Sequence, residues 1–568
     1  MPGSDERMLF KISWLGVLLL LAFLCINLLS GPFEYGFGLA RPTLAVTGIL
    51  VLGSVFAFFA LINAIKIPLS NRITRRRLLI LILGVGLSTR LVALFTCPIL
   101  EIDYYRYMWD GKVLSHGVSP YQYSPEQILN AQGDAEEGLR SLNSLAIRSE
   151  SNHTILSRVH FEDYTTIYPP VSQVVFAAAM SCIPESANVQ THITWMKFVL
   201  VLFDVGTLFL ILGLLQALKR HYGWLIVYAW NPLVIKEIAN GGHLDSIATL
   251  FTVLSLFVFV KWFRSAGHRR GLVAASAVAL GLGVGAKLFP VIIFPILFVA
   301  AIRRSKSAGF VFLLVFGCTT GVAFGPMLSS VTFAKKAQDV AASEIRSGEN
   351  YEPQSKEGLS SFLSKWRMND LVFSTLYLNL KSVERDAKRT PWVVVTSEEF
   401  RSSFCRWCNE RNLGSNDPAF AATRVLTLGL FLFFYLVQLV KLLKSSEDAE
   451  EWLVEFLGRV GWIIGVFVFL QPTVNPWYLS WAIPCFCFSN NRGWLLISGV
   501  MLIYYSRFWF GTFDGLTEVC GANYSGEDLY RYFVVWVTHI AVVAILWTCI
   551  TLKIGKTLPL GWGKNRAS

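Results

Sequence analysis

Apolar runs about as long as a bilayer is thick recur along the whole chain, and nothing else in it constrains the fold as much. A helix needs roughly 20 residues to cross about 30 Å of hydrocarbon. The runs are Leu9–Leu29, Thr43–Ile65, Leu78–Phe95, Trp195–Leu215, Trp224–Ile238, Asp245–Val260, Leu272–Gly285, Phe289–Ala301, Gly309–Leu328, Val425–Leu443, Leu453–Leu470, Tyr478–Phe488, Trp494–Phe510 and Phe533–Ile550. They predict an all-α polytopic membrane protein of about 14 transmembrane helices. With 54% hydrophobic and 15% charged residues, the chain is no ordinary soluble enzyme, which would carry about 25% charge. The first run ends in Ser30-Gly31-Pro32 without a small-residue cleavage pattern, so it reads as a retained span.

Charge orients the spans. Lys66, Arg72, Arg75, Arg76 and Arg77 crowd one connection, whereas Gly511–Tyr530 holds no Lys or Arg; the positive-inside rule puts the first in the cytoplasm and the second outside. Both termini come out cytoplasmic. The net charge of +12 is then a loop property, and no nucleic-acid partner is called for. Val171–Cys182 is apolar but short, and parity makes it a re-entrant or half-membrane helix, which needs protein or a water-filled cavity around it. Two larger loops face outward, 98–170 and 329–421. The domain reading is an N-terminal two-span hairpin with its basic loop (1–77), a membrane core (78–328), the second outer loop (329–421), C-terminal helices (422–553) and a basic tail (554–568).

The densest polar cluster follows the third run: Glu101-Ile102-Asp103-Tyr104-Tyr105-Arg106-Tyr107-Met108-Trp109-Asp110-Gly111, then Gly117-Val118-Ser119-Pro120-Tyr121. A carboxylate at the mouth of a helix bundle is placed to act as a general base toward a hydroxyl; an interfacial aromatic belt with solvated acids has the same composition. Trp230–Asp245 brings Lys236, Glu237, His243 and Asp245 to one helical hairpin. Each ion left in hydrocarbon costs about 2.5–3.5 kcal/mol, so these line a polar cavity or pair with one another. Arg90, Asp204, Lys287 and Arg507 are isolated among apolar runs, where snorkelling competes with function. Cys405-Arg406-Trp407-Cys408 is a lone CxxC with no second pair for zinc, leaving a disulfide open. Asn152-His153-Thr154 and Asn523-Tyr524-Ser525 are sequons on the outer side. P-loop, dinucleotide-binding and HExxH patterns are absent, which removes support for ATP-driven transport and zinc proteolysis.

In order, Glu101-x-Asp103-x-x-Arg106-Tyr107-x-Trp109-Asp110-Gly111, Gly117-x-x-Pro120-Tyr121, Tyr168-Pro169-Pro170, Trp230-Asn231-Pro232-Leu233, Gly242-His243-x-Asp245, Lys287-x-x-Pro290 and Asn475-Pro476-Trp477-Tyr478 resemble polytopic GT-C glycosyltransferases, in particular the bacterial polyprenyl-phosphate-mannose-dependent mannosyltransferases. The resemblance spans roughly residues 78–510. Asn475 stands where that pattern has histidine. The resemblance implies a GT-C-like fold and sugar transfer, with inversion, from a polyprenyl-phosphate donor to a glycan or glycolipid hydroxyl on the extracytoplasmic face of a bacterial inner membrane. It makes Asp103 the base, with Glu101 and Asp110 as accompanying catalytic acids. Arg106, His243, Lys287 and Arg507 would meet phosphate charge, and Tyr107, Trp109, Asp245, Trp477 and Tyr478 would complete the substrate site. No metal and no cofactor is called for, the lipid-phosphate sugar being a substrate. Trp366, Trp392 and Trp407 in the second outer loop read as acceptor-binding or as membrane anchors. The competing class is a secondary transporter or flippase of lipid-linked sugars; transporters hold their ionisable residues near the midplane, whereas these sit at outer helix ends.

Overall fold

A computed structural model describes residues 4–36, 40–131, 135–265, 269–344, 366–382, 391–413, 417–445, 448–519 and 522–557. The basic tail expected over 554–568 lies, from residue 558 on, outside the described residues. The long helices are α1 (Ser4–Leu28), α2 (Thr43–Ala64) and α3 (Arg72–Phe95). A 12-residue helix α4 (Tyr104–Ser115) and another, α5 (Pro170–Ser181), precede α6 (Val189–Ala217), α7 (Asp245–Arg264) and α8 (Arg270–Ala286). Next come α9 (Lys306–Glu344), α10 (Pro418–Leu443), α11 (Ala449–Leu470) and α12 (Val535–Thr557), the last entered through a π-helical turn at Tyr530–Val534. Strand is confined, among the described residues, to the Thr517–Val519 and Ala522–Tyr524 hairpin.

Nine helices among the described residues are long and apolar enough to cross a membrane, against about fourteen spans expected from the apolar runs. The other five runs form shorter or broken helices. Proline cuts three of them, because it lacks an N–H and suits only a helix start: Pro232, Pro290 and Pro484 each open a short helix, as Pro476 does just ahead of one run. Trp224–Ile238 becomes two short α-helices and a π-helix, Ile235–Asn240. Such backbone at membrane depth must be enclosed by protein, and residues 223–249 are buried throughout. On the periphery, Val425, Phe433 and Leu436 of α10 are 70%, 69% and 59% exposed, as lipid-facing side chains are.

Two isolated ions of the sequence turn out to be partners. Arg90 Nε lies 2.5 Å from Asp204 Oδ2, and the Tyr228 hydroxyl donates to Asp204 Oδ1 at 2.6 Å, tying α3 to α6. Intramembrane ions must pair in this way. The half-length apolar helix forms as α5, too short to span. It packs on α8 through the Ser172 hydroxyl, which donates to Ala286 O at 2.8 Å. It approaches α4 so closely that a Cβ on Gly111 would sit 2.5 Å from Phe176 O, which explains glycine in the Trp-Asp-Gly motif.

Candidate functional site

The loop after α3 is anchored from below. Lys197 donates to Thr96 O at 2.8 Å and Ala93 O at 3.2 Å, carbonyls at the end of α3. Asn240 donates to Cys97 O at 2.8 Å and accepts from Ile99 N at 3.0 Å. Thus held, Glu101 folds Oε1 back onto the N–H groups of Ile102 and Asp103, at 2.9 and 2.8 Å. Asp103 occupies the N-cap of α4, yet its side chain makes no capping bond. An aspartate there normally accepts from the first turn; this one instead accepts from the Tyr168 hydroxyl at 3.1 Å.

The π-helical turn and Gly241-Gly242 deliver His243 to the same point. Gly242 has φ +69°, a left-handed conformation that glycine adopts without strain. His243 Nε2 lies 2.9 Å from Glu101 Oε2 and 3.4 Å from Glu237 Oε2. It sits between the two carboxylates without being aligned as a donor to either. Lys236 and Tyr505 back Glu237: the ammonium lies 3.2 Å from Glu237 Oε2, and the Tyr505 hydroxyl donates to both carboxylate oxygens at 2.8 and 2.9 Å. Trp477 stacks on the imidazole, centroids 4.4 Å apart and planes at 21°.

Electrostatics divides the carboxylates. Burial pushes Asp103 up, the neighbouring Glu101 charge adds to this, and its pKa reaches about 6 although His243, Tyr168 and Lys287 pull it down. Burial acts upward on Glu101 too, but the His243 charge and contact outweigh it with help from Lys236, and the pKa falls to about 2. His243 is pushed down by burial and more strongly up by Glu101 and Glu237, to about 10. Near neutral pH the cluster is therefore a fixed carboxylate, a fixed imidazolium and one carboxylate poised to take a proton, the separation that acid–base chemistry uses.

The oxygens of Glu101 and Asp103 and a nitrogen of His243 lie within 4.8 Å of one another, as close as metal ligands. These groups could hold a divalent ion, and without one Glu101 and His243 form a close pair at 2.9 Å.

Lys287 donates to both oxygens of Asp245 at 2.8 Å, and the Trp481 indole N–H donates to the same carboxylate. Its ammonium lies 4.9 Å above the Tyr478 ring centroid. Arg507 donates to neutral atoms alone among the described residues, the Met368 sulfur at 2.6 Å and the Tyr504 hydroxyl at 3.1 Å. Glu101, Asp103, His243 and Trp477 thus come together, with Lys287, Asp245 and Tyr478 in a linked second group and Arg507 at the far edge.

The remaining expected site residues are buried along α4. Asp110 accepts from Gln173 of α5 at 3.0 Å, an α4–α5 bond. Trp109 is 1% exposed, its indole N–H unpartnered among the described residues. Tyr107 lies between the Phe176 ring at 4.7 Å and the ring of Tyr168, the partner of Asp103, at 5.0 Å, and Arg106 donates to Phe161 O at 2.8 Å, bracing the first outer loop. Asn475, at the position where the resembled pattern has histidine, leaves a buried side-chain oxygen without a partner among the described residues. Asn152 is wholly buried and donates to Leu145 O at 2.9 Å, so its sequon presents no accessible amide. Cys405 and Cys408 are both free, one turn apart on the helix Glu398–Asn409.

Sequence reasoning gave no role to Tyr168, Tyr505 or Trp481, and expected of Glu237 the pairing it makes with Lys236. Tyr168 lies inside a motif singled out from the sequence; Tyr505 and Trp481 carry no signal beyond being aromatics near an interface.

Two family models match the chain. One, described as alpha-(1->6)-mannopyranosyltransferase, N-terminal domain, of the MptA/B family, covers residues 34–303. The other, the MptB C-terminal domain, covers residues 410–552. The first takes in Asp103, His243 and Lys287; the second takes in Trp477 and Arg507. No curated protein and no solved structure matches.

Proposed function

We propose that the chain, a glycosyltransferase by its match to both mannosyltransferase models, takes mannose from a polyprenyl-phosphate donor and passes it to a glycan or glycolipid hydroxyl with inversion. The observation that carries this reading is Asp103: a buried carboxylate, free of its capping duty, with a pKa near 6 and a tyrosine hydroxyl fixing its direction.

Asp103 takes the proton of the acceptor hydroxyl as that oxygen forms its bond to the anomeric carbon. The bond from that carbon to the phosphate oxygen breaks, and its electron pair leaves on the lipid phosphate. Inversion at a β-linked donor gives an α product, in accord with the family's description. Positive charge aimed at the leaving oxygen lowers the barrier because it is already in place when charge develops. Arg507 is the best-placed cation, since no carboxylate among the described residues neutralises it. Lys287, already held by both oxygens of Asp245, is assigned to positioning. Glu101 and His243 act on Asp103 through charge, and the step needs no divalent ion because imidazolium and guanidinium supply the positive charge. Trp477, flat on His243, gives the sugar an aromatic face.

The proposed setting is a bacterial inner membrane, with both termini cytoplasmic and the cluster extracytoplasmic, supported by the Lys and Arg of the predicted inner loops. The test is radiolabel transfer from polyprenyl-phosphate mannose in membranes holding wild type or Asp103→Asn. Transfer by wild type alone, with both proteins equally inserted, is expected; equal transfer by both would remove Asp103 as the base.

A further inference from the structure

Lys197, on α6, is a buried cation to which sugar transfer as described above gives no part. It is 1% exposed, and among the described residues its ammonium donates to backbone carbonyls alone, Thr96 O at 2.8 Å and Ala93 O at 3.2 Å. An ion at membrane depth is costly, and a neutral amide serves the neighbouring carbonyl, since Asn240 donates to Cys97 O at 2.8 Å. A cation suits the carbonyl end of a helix, which accounts for the head of Lys197 as a cap on α3. It does not account for the stem.

The stem lies against the other half of the cluster. A Cβ on Gly242 would meet Lys197 Cγ at 3.1 Å and Tyr104 Cβ at 3.9 Å, so the open face of Gly242 is covered by the lysine stem and by the first residue of α4. Gly242 immediately precedes His243, and Tyr104 immediately follows Asp103. At the far end of the same side chain the ammonium grips Thr96, where the loop toward Glu101 begins, and Asn240 fixes the next points of that loop at Cys97 and Ile99. Lys197 therefore touches both the loop that brings in Glu101 and Asp103 and the turn that brings in His243.

We propose that Lys197 is a positioning residue for glycosyl transfer: its ammonium fixes the loop, its stem fixes the turn, and one side chain sets the spacing of Asp103 and His243. The proposal rests on the reading of Asp103 as the base. The side-chain atoms of Asp103 and His243 lie within 4.8 Å of each other, and over that distance the imidazolium pulls the Asp103 carboxyl down against burial and Glu101. Spacing therefore governs the proton on Asp103, and a displacement of about 1 Å at a reacting group costs on the order of 100-fold in rate.

The test uses the full chain purified in detergent. Its probe is proton uptake by Asp103, followed in a pH titration as the infrared carboxyl band that Asp103→Asn removes; wild type is expected to titrate at about 6. Lys197→Gln, with a shorter and neutral side chain, and separately Gly242→Ala, which presses on the lysine stem, are each expected to displace that midpoint by about half a unit or more. Each should also lower kcat for transfer from polyprenyl-phosphate mannose by about tenfold or more, with the donor KM within about twofold of wild type. Asp204→Asn weakens the Arg90 tie between the same two helices and is expected to lower the melting temperature without moving the midpoint. A midpoint unmoved in either variant, or moved as far by Asp204→Asn, would overturn the proposal and leave Lys197 a cap on α3. A midpoint displaced in both variants, with no transfer by wild type from that donor, would sink the donor reading and leave the spacing role standing.

Discussion

The hydroxyl of Tyr168 donates to the Asp103 carboxylate across 3.1 Å, joining residues 65 positions apart. That bond favours the charged form, against burial and the Glu101 charge, which together hold the carboxyl up near 6. A base acts as carboxylate, so kcat/KM is expected to fall as pH drops through about 6, earlier than for an ordinary aspartate. Tyr168→Phe removes a stabiliser of the charged form and should move this acid limb upward, on the order of half a unit or more. A pH profile unmoved by Tyr168→Phe would mean that Asp103 is not the group seen in the limb.

His243 supplies positive charge to both Glu101 and Asp103. His243→Gln is expected to cost on the order of 100-fold in kcat and to raise the acid limb above that of wild type. The same reading predicts that EDTA leaves transfer by wild type within about twofold. A chelator-sensitive rate restored by manganese or magnesium would turn Glu101, Asp103 and His243 into metal ligands.

Asp245 and Lys287 form a pair whose carboxylate is 1% exposed. Removing one partner leaves the other charge without compensation, which costs about 3–5 kcal/mol at a fully buried site and less here because Lys287 is 21% exposed. Asp245→Asn should therefore lower the melting temperature in detergent, and combining it with Lys287→Met should recover part of the loss. Additive losses would show that the two residues act separately.

Arg507→Met is expected to raise the donor KM by about tenfold or more, because no carboxylate among the described residues neutralises Arg507. Lys287→Met should leave donor KM closer to wild type. The reverse order, read from initial rates at varied donor, would exchange their roles.

A Cβ on Gly111 would meet Phe176 O at 2.5 Å, whereas one on Gly48 of α2 meets nothing within 4 Å. Gly111→Ala is expected to destabilise the α4–α5 contact by about 1–3 kcal/mol, read as a lower melting temperature; Gly48→Ala should not. Equal melting temperatures would show that α5 moves aside freely.

Much of this protein is legible from local pattern. Apolar run length marks all nine long helices, and the shortness of Val171–Cys182 marks α5. The clusters around Asp103 and His243 stand out because ions beside apolar runs must find partners. Run length alone misleads where proline cuts an apolar stretch: Pro232, Pro290 and Pro484 are visible in the sequence, but hydropathy carries no record of a missing N–H. What tertiary structure alone decides is which ion meets which. Arg90 finds Asp204 at a separation of 114 residues, Lys287 is taken up by Asp245, and Asp110, about two turns beyond Asp103 in the same motif, faces Gln173 instead. Periodicity and capping are set by near neighbours in the chain, whereas the pairing of buried charges is set by how the helices pack, and packing depends on all of them at once.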